Sequence, residues 1–161
     1  MDPAIFKAYD IRGIYPDQLK EEDAWKIGYA SAQFLRSLLH GYARGQAHSQ
    51  AICVARDMRT HSESLANALI RGISACGANV VDIGMIDTPQ MYFAINHLGT
   101  CGGVQVTASH NPAKYNGFKV SGPGARPVGL DTGLKDIEHL ATALLHTKGR
   151  ATGSVRKHDL T

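Results

Sequence analysis

The sequence predicts an α/β fold, a three-layer αβα sandwich around a mixed, mostly parallel sheet. Two observations carry that reading. Short apolar runs at 51–55, 80–84 and 102–106 alternate with longer segments of helical periodicity. Phe118-Lys119-Val120 then follows the third run across Asn116-Gly117, a dipeptide that reads as a tight turn, so one antiparallel pair should join an otherwise parallel sheet.

Taken in order, Ile5-Phe6-Lys7-Ala8-Tyr9 alternates like a short strand, and Asp10-Ile11-Arg12-Gly13 leads to a turn at Pro16-Asp17. From Glu21 to Ala43 the period is helical: Trp25, Gly28, Ala32, Leu35 and Leu39 share one side, and Ile27, Phe34 and Leu38 widen the stripe. Gly41 to Gln50 is small and polar, a surface loop. Ala51-Ile52-Cys53-Val54-Ala55 is a buried strand running into Arg56-Asp57-Met58-Arg59. Thr60 and Glu63 have capping-box spacing for a helix whose core face is Leu65, Leu69, Ile73 and Cys76, with Gly77 as its C-cap.

Val80 to Gly84 is the next strand, and Asp87-Thr88-Pro89 opens a helix to about His97 that presents Met91, Ala94, Ile95 and Leu98 inward. Ser121-Gly122-Pro123-Gly124 is an irregular linker. Asp131 opens a last helix with Leu134, Ile137, Ala141, Leu144 and Leu145 facing the core. The stretch from Thr147 to Thr161 is polar and has no core face.

Composition narrows the function classes. A chain of 161 residues with 43% hydrophobic content can bury a proper core. A net charge of +3 with mixed signs is too mild for a nucleic-acid partner, and no apolar run is long enough to span a membrane. Mild basicity suits small anions such as sugar phosphates. The three cysteines, Cys53, Cys76 and Cys101, form no CxxC pair and read as reduced thiols in a cytoplasmic protein. Met1-Asp2-Pro3 does not resemble a secretion signal.

The chemistry gathers at Gly102-Gly103-Val104-Gln105-Val106-Thr107-Ala108-Ser109-His110-Asn111-Pro112. A buried strand ends there in a polar turn carrying a hydroxyl and an imidazole, with Lys119 brought back by the return strand. Strand carboxyl ends are where α/β sheets bind ligands.

Thr107-Ala108-Ser109-His110-Asn111-Pro112 resembles the phosphoserine loop of the α-D-phosphohexomutases, the phosphomannomutase and phosphoglucomutase family. Tyr9-Asp10-Ile11-Arg12-Gly13 resembles that family's amino-terminal motif, and Arg56-Asp57-Met58-Arg59 resembles a third segment. In the family a glycine commonly precedes this third segment, and a serine commonly stands where His61 does; here those places hold Ala55 and His61. The resemblance covers nearly the whole chain but only the first domain of such an enzyme: residues 1–146 as domain I, 147–161 as the start of a connection to a second domain that is missing. It leans toward the phosphomannomutase/phosphoglucomutase branch.

The resemblance implies phosphoryl transfer between O1 and O6 of a hexose phosphate, through a phosphoserine and a bisphosphate. Relay through an enzyme nucleophile splits such a transfer into two easier steps, and positioning and charge stabilisation do most of the work. By resemblance Ser109 is the phosphoryl carrier, His110 orients the loop or the transferring group, and Lys119 is a general base or charge stabiliser. Tyr9, Arg12, Arg59 and Asn111 contact substrate or phosphate. Asp57 has two readings, a direct part in catalysis or an ion pair with Arg56, Arg59 or Arg12 that braces the loop.

The implied cofactors are Mg2+, held by Ser109 through its phosphate, and a hexose 1,6-bisphosphate activator. The family's magnesium carboxylates lie in a D-x-D-x-D-R run of the second domain, and this sequence has none. The implied partners are the hexose phosphate and the missing mutase domains, so turnover by this chain alone is not expected. Other readings are weaker. A serine hydrolase needs G-x-S-x-G, which Thr-Ala-Ser-His-Asn does not supply. A dinucleotide-binding domain needs G-x-G-x-x-G after the first strand, where Gly13 stands alone. A non-catalytic phosphate-binding or partner-docking module that keeps the serine loop stays open as the alternative.

Overall fold

The computed structural model describes residues 1–39, 49–147, 149 and 152–160. One six-stranded sheet runs through it, built from β1 (Ile11–Ile14), β2 (Ile52–Arg56), β3 (Val80–Met85), β4 (Gly103–Val106), β5 (Tyr115–Ser121) and β6 (Val155–Lys157). Its order is β1-β5-β4-β2-β3-β6. The β4–β2, β2–β3 and β3–β6 pairs are parallel, and β5 runs antiparallel to both β4 and β1. The expected mixed, mostly parallel sheet is therefore present.

Four α-helices flank it: α1 (Glu21–Leu38), α2 (Ser62–Ala75), α3 (Thr88–Leu98) and α4 (Leu134–Thr142). The strands alternate the faces on which their side chains lie. Ile52, Val54, Val104, Val106, Phe118 and Val120 join the larger core with α1, α2 and α4. Cys53, Ala55, Val81 and Ile83 pack with Met91, Ala94 and Ile95 of α3. Each large aliphatic or aromatic side chain so buried contributes roughly 1.5–3 kcal/mol. The helix pair α1–α2 crosses at unusually close range: a Cβ on Gly28 would lie 2.2 Å from the Leu69 carbonyl oxygen, and one on Gly72 would lie 2.0 Å from that of Trp25.

Several local expectations change. Residues 5–9 are not a strand. Pro3 and the Asp2 side chain start a 3₁₀ turn at Pro3–Ile5, and only Phe6 bridges back to Ile11, so β1 begins after Asp10. Thr60 does not cap α2; its N-cap is His61, which makes no side-chain capping bond. Gly77 follows the actual C-cap, Cys76, with a left-handed φ of 93°. The Asp87 start of α3 is as expected, a capping box with Gln90 and proline at the helix start.

Asn116-Gly117 is not a turn. Both residues lie inside β5, and the connection from β4 is the longer segment 107–114. Gly117 is needed for a different reason: a Cβ there would sit 1.9 Å from the Ile11 carbonyl oxygen, so β1 could not close against β5. The last helix ends at Thr142, which leaves Leu145 83% exposed, and Asp131 belongs to a preceding 3₁₀ turn. Within the polar C-terminal stretch, Val155–Lys157 adds the edge strand β6, all three of its residues exposed. Most of the 41–50 loop, and the expected helix beyond Leu39, lie outside the described residues.

Candidate active site

The loop 107–114 leaves β4 at the carboxyl edge of the parallel strands and is held from below by a connected polar network. Asp57, just past β2, is its centre. Its carboxylate accepts from the Arg59 backbone N–H at 3.1 Å, the Ser62 hydroxyl at 2.6 Å, the Thr107 hydroxyl at 2.8 Å and Arg59 Nε at 3.2 Å. Of the two readings of Asp57, this geometry is that of the brace, with Arg59 as the ion-pair partner.

Arg59 then reaches into the loop. Nη1 donates to the carbonyls of Pro112 at 2.8 Å and Tyr115 at 3.2 Å; Nη2 donates to those of Ser109 at 2.9 Å and Asn111 at 2.7 Å. A guanidinium has five N–H donors, and with Nε on Asp57 all of them are engaged.

A second tether runs through His61 and Asn116. His61 Nε2 donates to the Ala113 carbonyl at 3.1 Å, and since a carbonyl only accepts, the proton sits on Nε2. Nδ1 can then accept from the Asn116 amide at 2.7 Å. The same amide donates to Ser62 Oγ at 2.9 Å, and Asn116 Oδ1 accepts from the Gly117 N–H at 2.8 Å. The ring stacks on Tyr15 with centroids 4.5 Å apart. Tyr15 in turn donates to Glu21, which raises the phenol above its usual range. Burial pushes the Glu21 carboxyl up, but the hydrogen bonds from Tyr15 and Ser64 outweigh it and hold the group below the ordinary range.

Within this frame Ser109 has a left-handed backbone, φ 55°, which few non-glycine residues adopt. Its N–H donates to Thr107 Oγ1 at 3.0 Å and its carbonyl accepts from Arg59 Nη2, so the bracing uses its backbone and not its hydroxyl. Such an outlier, held by surrounding bonds, marks a position where the fold maintains strain for a reason.

The expected residues fall into two groups. Ser109 lines a hollow of about 400 Å³ together with Asp57, Thr107, Gln105 and the start of α3. Tyr9, Arg12 and Lys119 line another of about 470 Å³, with Lys7 and Asp10. Lys119 lies opposite Gln105 in the β4–β5 register, and Arg12 of the second hollow reaches the serine loop, its Nη1 donating to Asn111 Oδ1 at 3.0 Å. Arg12 also pairs with Asp10, and its Nε is buried with no partner among the described residues. Tyr9 is 85% exposed, and His110 is exposed and stands outside the loop's bracing bonds. Sequence reasoning did not find Asp10, Ser62 or Asn116. A carboxylate two residues before Arg12 was a usable signal for the first; Asn116 was hidden by its resemblance to a turn.

Among the described residues, no helix is long and apolar enough to cross a membrane, and no group of three His, Cys, Asp or Glu side chains could hold a metal ion. Two carboxylates, Asp57 and Asp87, line the hollow with Ser109, and Asp57 is already committed to Ser62, Thr107 and Arg59.

Comparison with known proteins converges on one family. A family model described as phosphoglucomutase/phosphomannomutase, alpha/beta/alpha domain I, matches residues 3–147. A phosphomannomutase from Escherichia coli is 46% identical over 138 residues, which are 86% of this chain and 28% of that protein. One from Klebsiella pneumoniae is 46% identical over 136 residues, 84% of this chain and 79% of that protein. The crystal structure of a phosphoglucomutase/phosphomannomutase family protein from Burkholderia thailandensis superposes with a TM-score of 0.82 at 33% identity, covering 99% of this chain and 34% of the other. The chain thus spans about 28% of the length of the Escherichia coli relative. It belongs to the phosphoglucomutase/phosphomannomutase family, of which it carries the α/β/α domain I.

Proposed function

We propose that this chain is the phosphoserine-bearing domain of a phosphomannomutase/phosphoglucomutase that moves a phosphoryl group between O1 and O6 of a hexose phosphate. The observation that carries the reading is Ser109 itself: a left-handed residue fixed through its backbone, its hydroxyl kept out of the bracing, on a loop that Arg12 of the cationic hollow grips at Asn111. In the first half-reaction the phosphoserine P–Oγ bond breaks as a P–O bond forms to the sugar's free hydroxyl. That hydroxyl's proton leaves to a base, and the product is a hexose 1,6-bisphosphate. In the second, Ser109 Oγ takes the other phosphoryl group and the sugar departs as its isomer.

Arg12 supplies positive charge to the phosphate oxygens, Lys119 either adds to that charge as an ammonium or, as a neutral amine, takes the hydroxyl's proton, Tyr9 borders the sugar, and His110 and Asn111 shape the loop. Magnesium, when bound, would neutralise charge on the transferring phosphoryl group. It needs further carboxylates from another domain, since no group of three His, Cys, Asp or Glu side chains among the described residues could hold it, and for the same reason the chain alone should not turn over. The stretch from residue 147 leads toward that next domain, although Val155–Lys157 within it still pairs with β3 as the edge strand of this sheet.

The test is a chimera in which this chain replaces the matching segment of the Escherichia coli phosphomannomutase. Interconversion of mannose 6-phosphate and mannose 1-phosphate, abolished by Ser109→Ala, is the expected result. A folded chimera without activity, or one indifferent to Ser109→Ala, refutes the reading and leaves a phosphate-binding module.

A further inference from the structure

We propose that Arg59 is a positioning residue of the serine loop and makes no contact with substrate phosphate. The two arginines of the site differ in what their donors do. Arg12 gives one N–H to Asn111 and pairs with Asp10, so most of its fork has no partner among the described residues. Arg59 has its five donors on Asp57, three loop carbonyls and that of Tyr115 at the start of β5, with its side chain only 10% exposed. An oxyanion could recruit Arg59 only by stripping it from carbonyls that have no other side-chain donor among the described residues, giving up charge-assisted hydrogen bonds already made.

The geometry also says why an arginine is needed. The four carbonyls belong to residues 109, 111, 112 and 115, so one planar fork spans the whole turn and fixes the Ser109 peptide in its left-handed conformation. Asp57 orients the fork from behind, through Nε, while its other bonds tie the same carboxylate to Thr107 and Ser62. A lysine would keep the charge but has three donors from a single point and could not span the loop.

The inference rests on the mutase reading for its kinetic arm alone. Arg59→Lys and Arg59→Ala are made in this chain and in the chimera. In the chain, amide hydrogen exchange is read at Asn111 and Tyr115, whose N–H groups bond the loop carbonyls of Ala108 and Pro112, with Cys53 in the central sheet as reference. Both variants should raise loop exchange at least about tenfold while Cys53 is unchanged, the signature of local opening. In the chimera kcat should fall by about 10²-fold with KM for the hexose phosphate changed by less than about threefold, because misplacement of the nucleophile acts on the transition state and not on binding. Arg12→Ala should do the reverse and raise KM.

A rise in KM with kcat kept and loop exchange unaltered would make Arg59 a phosphate contact and overturn the proposal. So would a lysine variant that behaves as wild type in both assays. If Arg59→Ala does not fold, Arg59→Lys decides alone, since lysine serves a phosphate but not the clamp. If the unmutated chimera is inactive, the mutase reading fails and the exchange arm still decides the clamp.

Discussion

Asn116→Ala should destabilise the chain far more than its place in a loop-flanking strand suggests. The side chain is fully buried and makes three hydrogen bonds: it donates to His61 Nδ1 at 2.7 Å and Ser62 Oγ at 2.9 Å, and accepts from the Gly117 N–H at 2.8 Å. The losses are unequal. His61 is partly exposed and can turn its nitrogen to water, and Ser62 keeps its bond to Asp57. The Gly117 N–H is buried and loses its side-chain acceptor, at a cost of about 1–3 kcal/mol. The cavity left by the amide adds roughly another 1 kcal/mol, for a total near 3 kcal/mol, a large part of an ordinary domain's stability. With an m-value of about 2 kcal/mol/M, the urea midpoint should fall by about 1.5 M with m unchanged. Equilibrium urea unfolding followed by the fluorescence of Trp25 measures it. A midpoint shift below about 0.5 M would show that the Asn116 hub bears little of the fold's stability and would refute the reasoning. A double-mutant cycle with Ser62→Ala should show coupling, since the two side chains share a bond.

Other outcomes follow from packing and burial. Gly72→Leu places a Cβ 2.0 Å from the Trp25 carbonyl oxygen at the α1–α2 crossing, and should cost more than about 3 kcal/mol or prevent folding. Gly122→Ala, with its nearest neighbour at 3.5 Å, should change the melting temperature by only about 2 °C. Among the thiols Cys53 and Cys101 are fully buried and Cys76 is partly exposed, so iodoacetamide at pH 8 should label Cys76 first and the others only in urea, as read by peptide mass. Burial pushes the Cys101 thiol from 9.0 up to about 11. An unfolded thiol ionises earlier than this one, so the stability that the neutral group contributes is complete below pH 9.0 and is lost as pH climbs through about 11. Cys101→Ala should flatten that decline, and an unchanged slope would assign it to other groups.

What could be read from the sequence divides along physical lines. Periodicity found α1, α2 and α3 and the strands β2, β3 and β4, because burial of one face leaves its mark on residue spacing. It failed where local and tertiary signals compete. Asn116-Gly117 has turn chemistry, but Gly117 is there to let β1 approach within a backbone's width, and Asn116 to hold polar groups that lie more than fifty residues away. Leu144 and Leu145 continue the stripe of α4 on paper, but the helix stops at Thr142 and leaves Leu145 in solvent. The loop motif marked Ser109 through resemblance. The pairing of Asp57 with Arg59 is among the readings of the sequence, but the bond from Thr107 needs the parallel neighbours β2 and β4 side by side, and no linear spacing encodes that.

That adjacency has a consequence for the chemistry. Asp57 N–H bonds the Val106 carbonyl at 3.0 Å, continuing the β2–β4 ladder to the point where both strands end. The brace is therefore an extension of the two central strands of the sheet, the elements least free to move, and the serine loop inherits their rigidity through one carboxylate and one guanidinium. The cations that would meet substrate lie elsewhere: Arg12 and Lys119 come from β1 and β5, on the antiparallel side of the sheet. The proposed nucleophile and the cations thus rest on separate strands joined by the bond from Arg12 to Asn111. Breaking that bond with Asn111→Ala should leave the Arg59 clamp and the exchange of the Tyr115 amide intact while loosening Arg12. In the chimera, therefore, KM should rise by a larger factor than kcat falls. The opposite split, a fall in kcat with KM kept, would mean that Asn111 serves the loop alone and that the two halves of the site are not coupled through it.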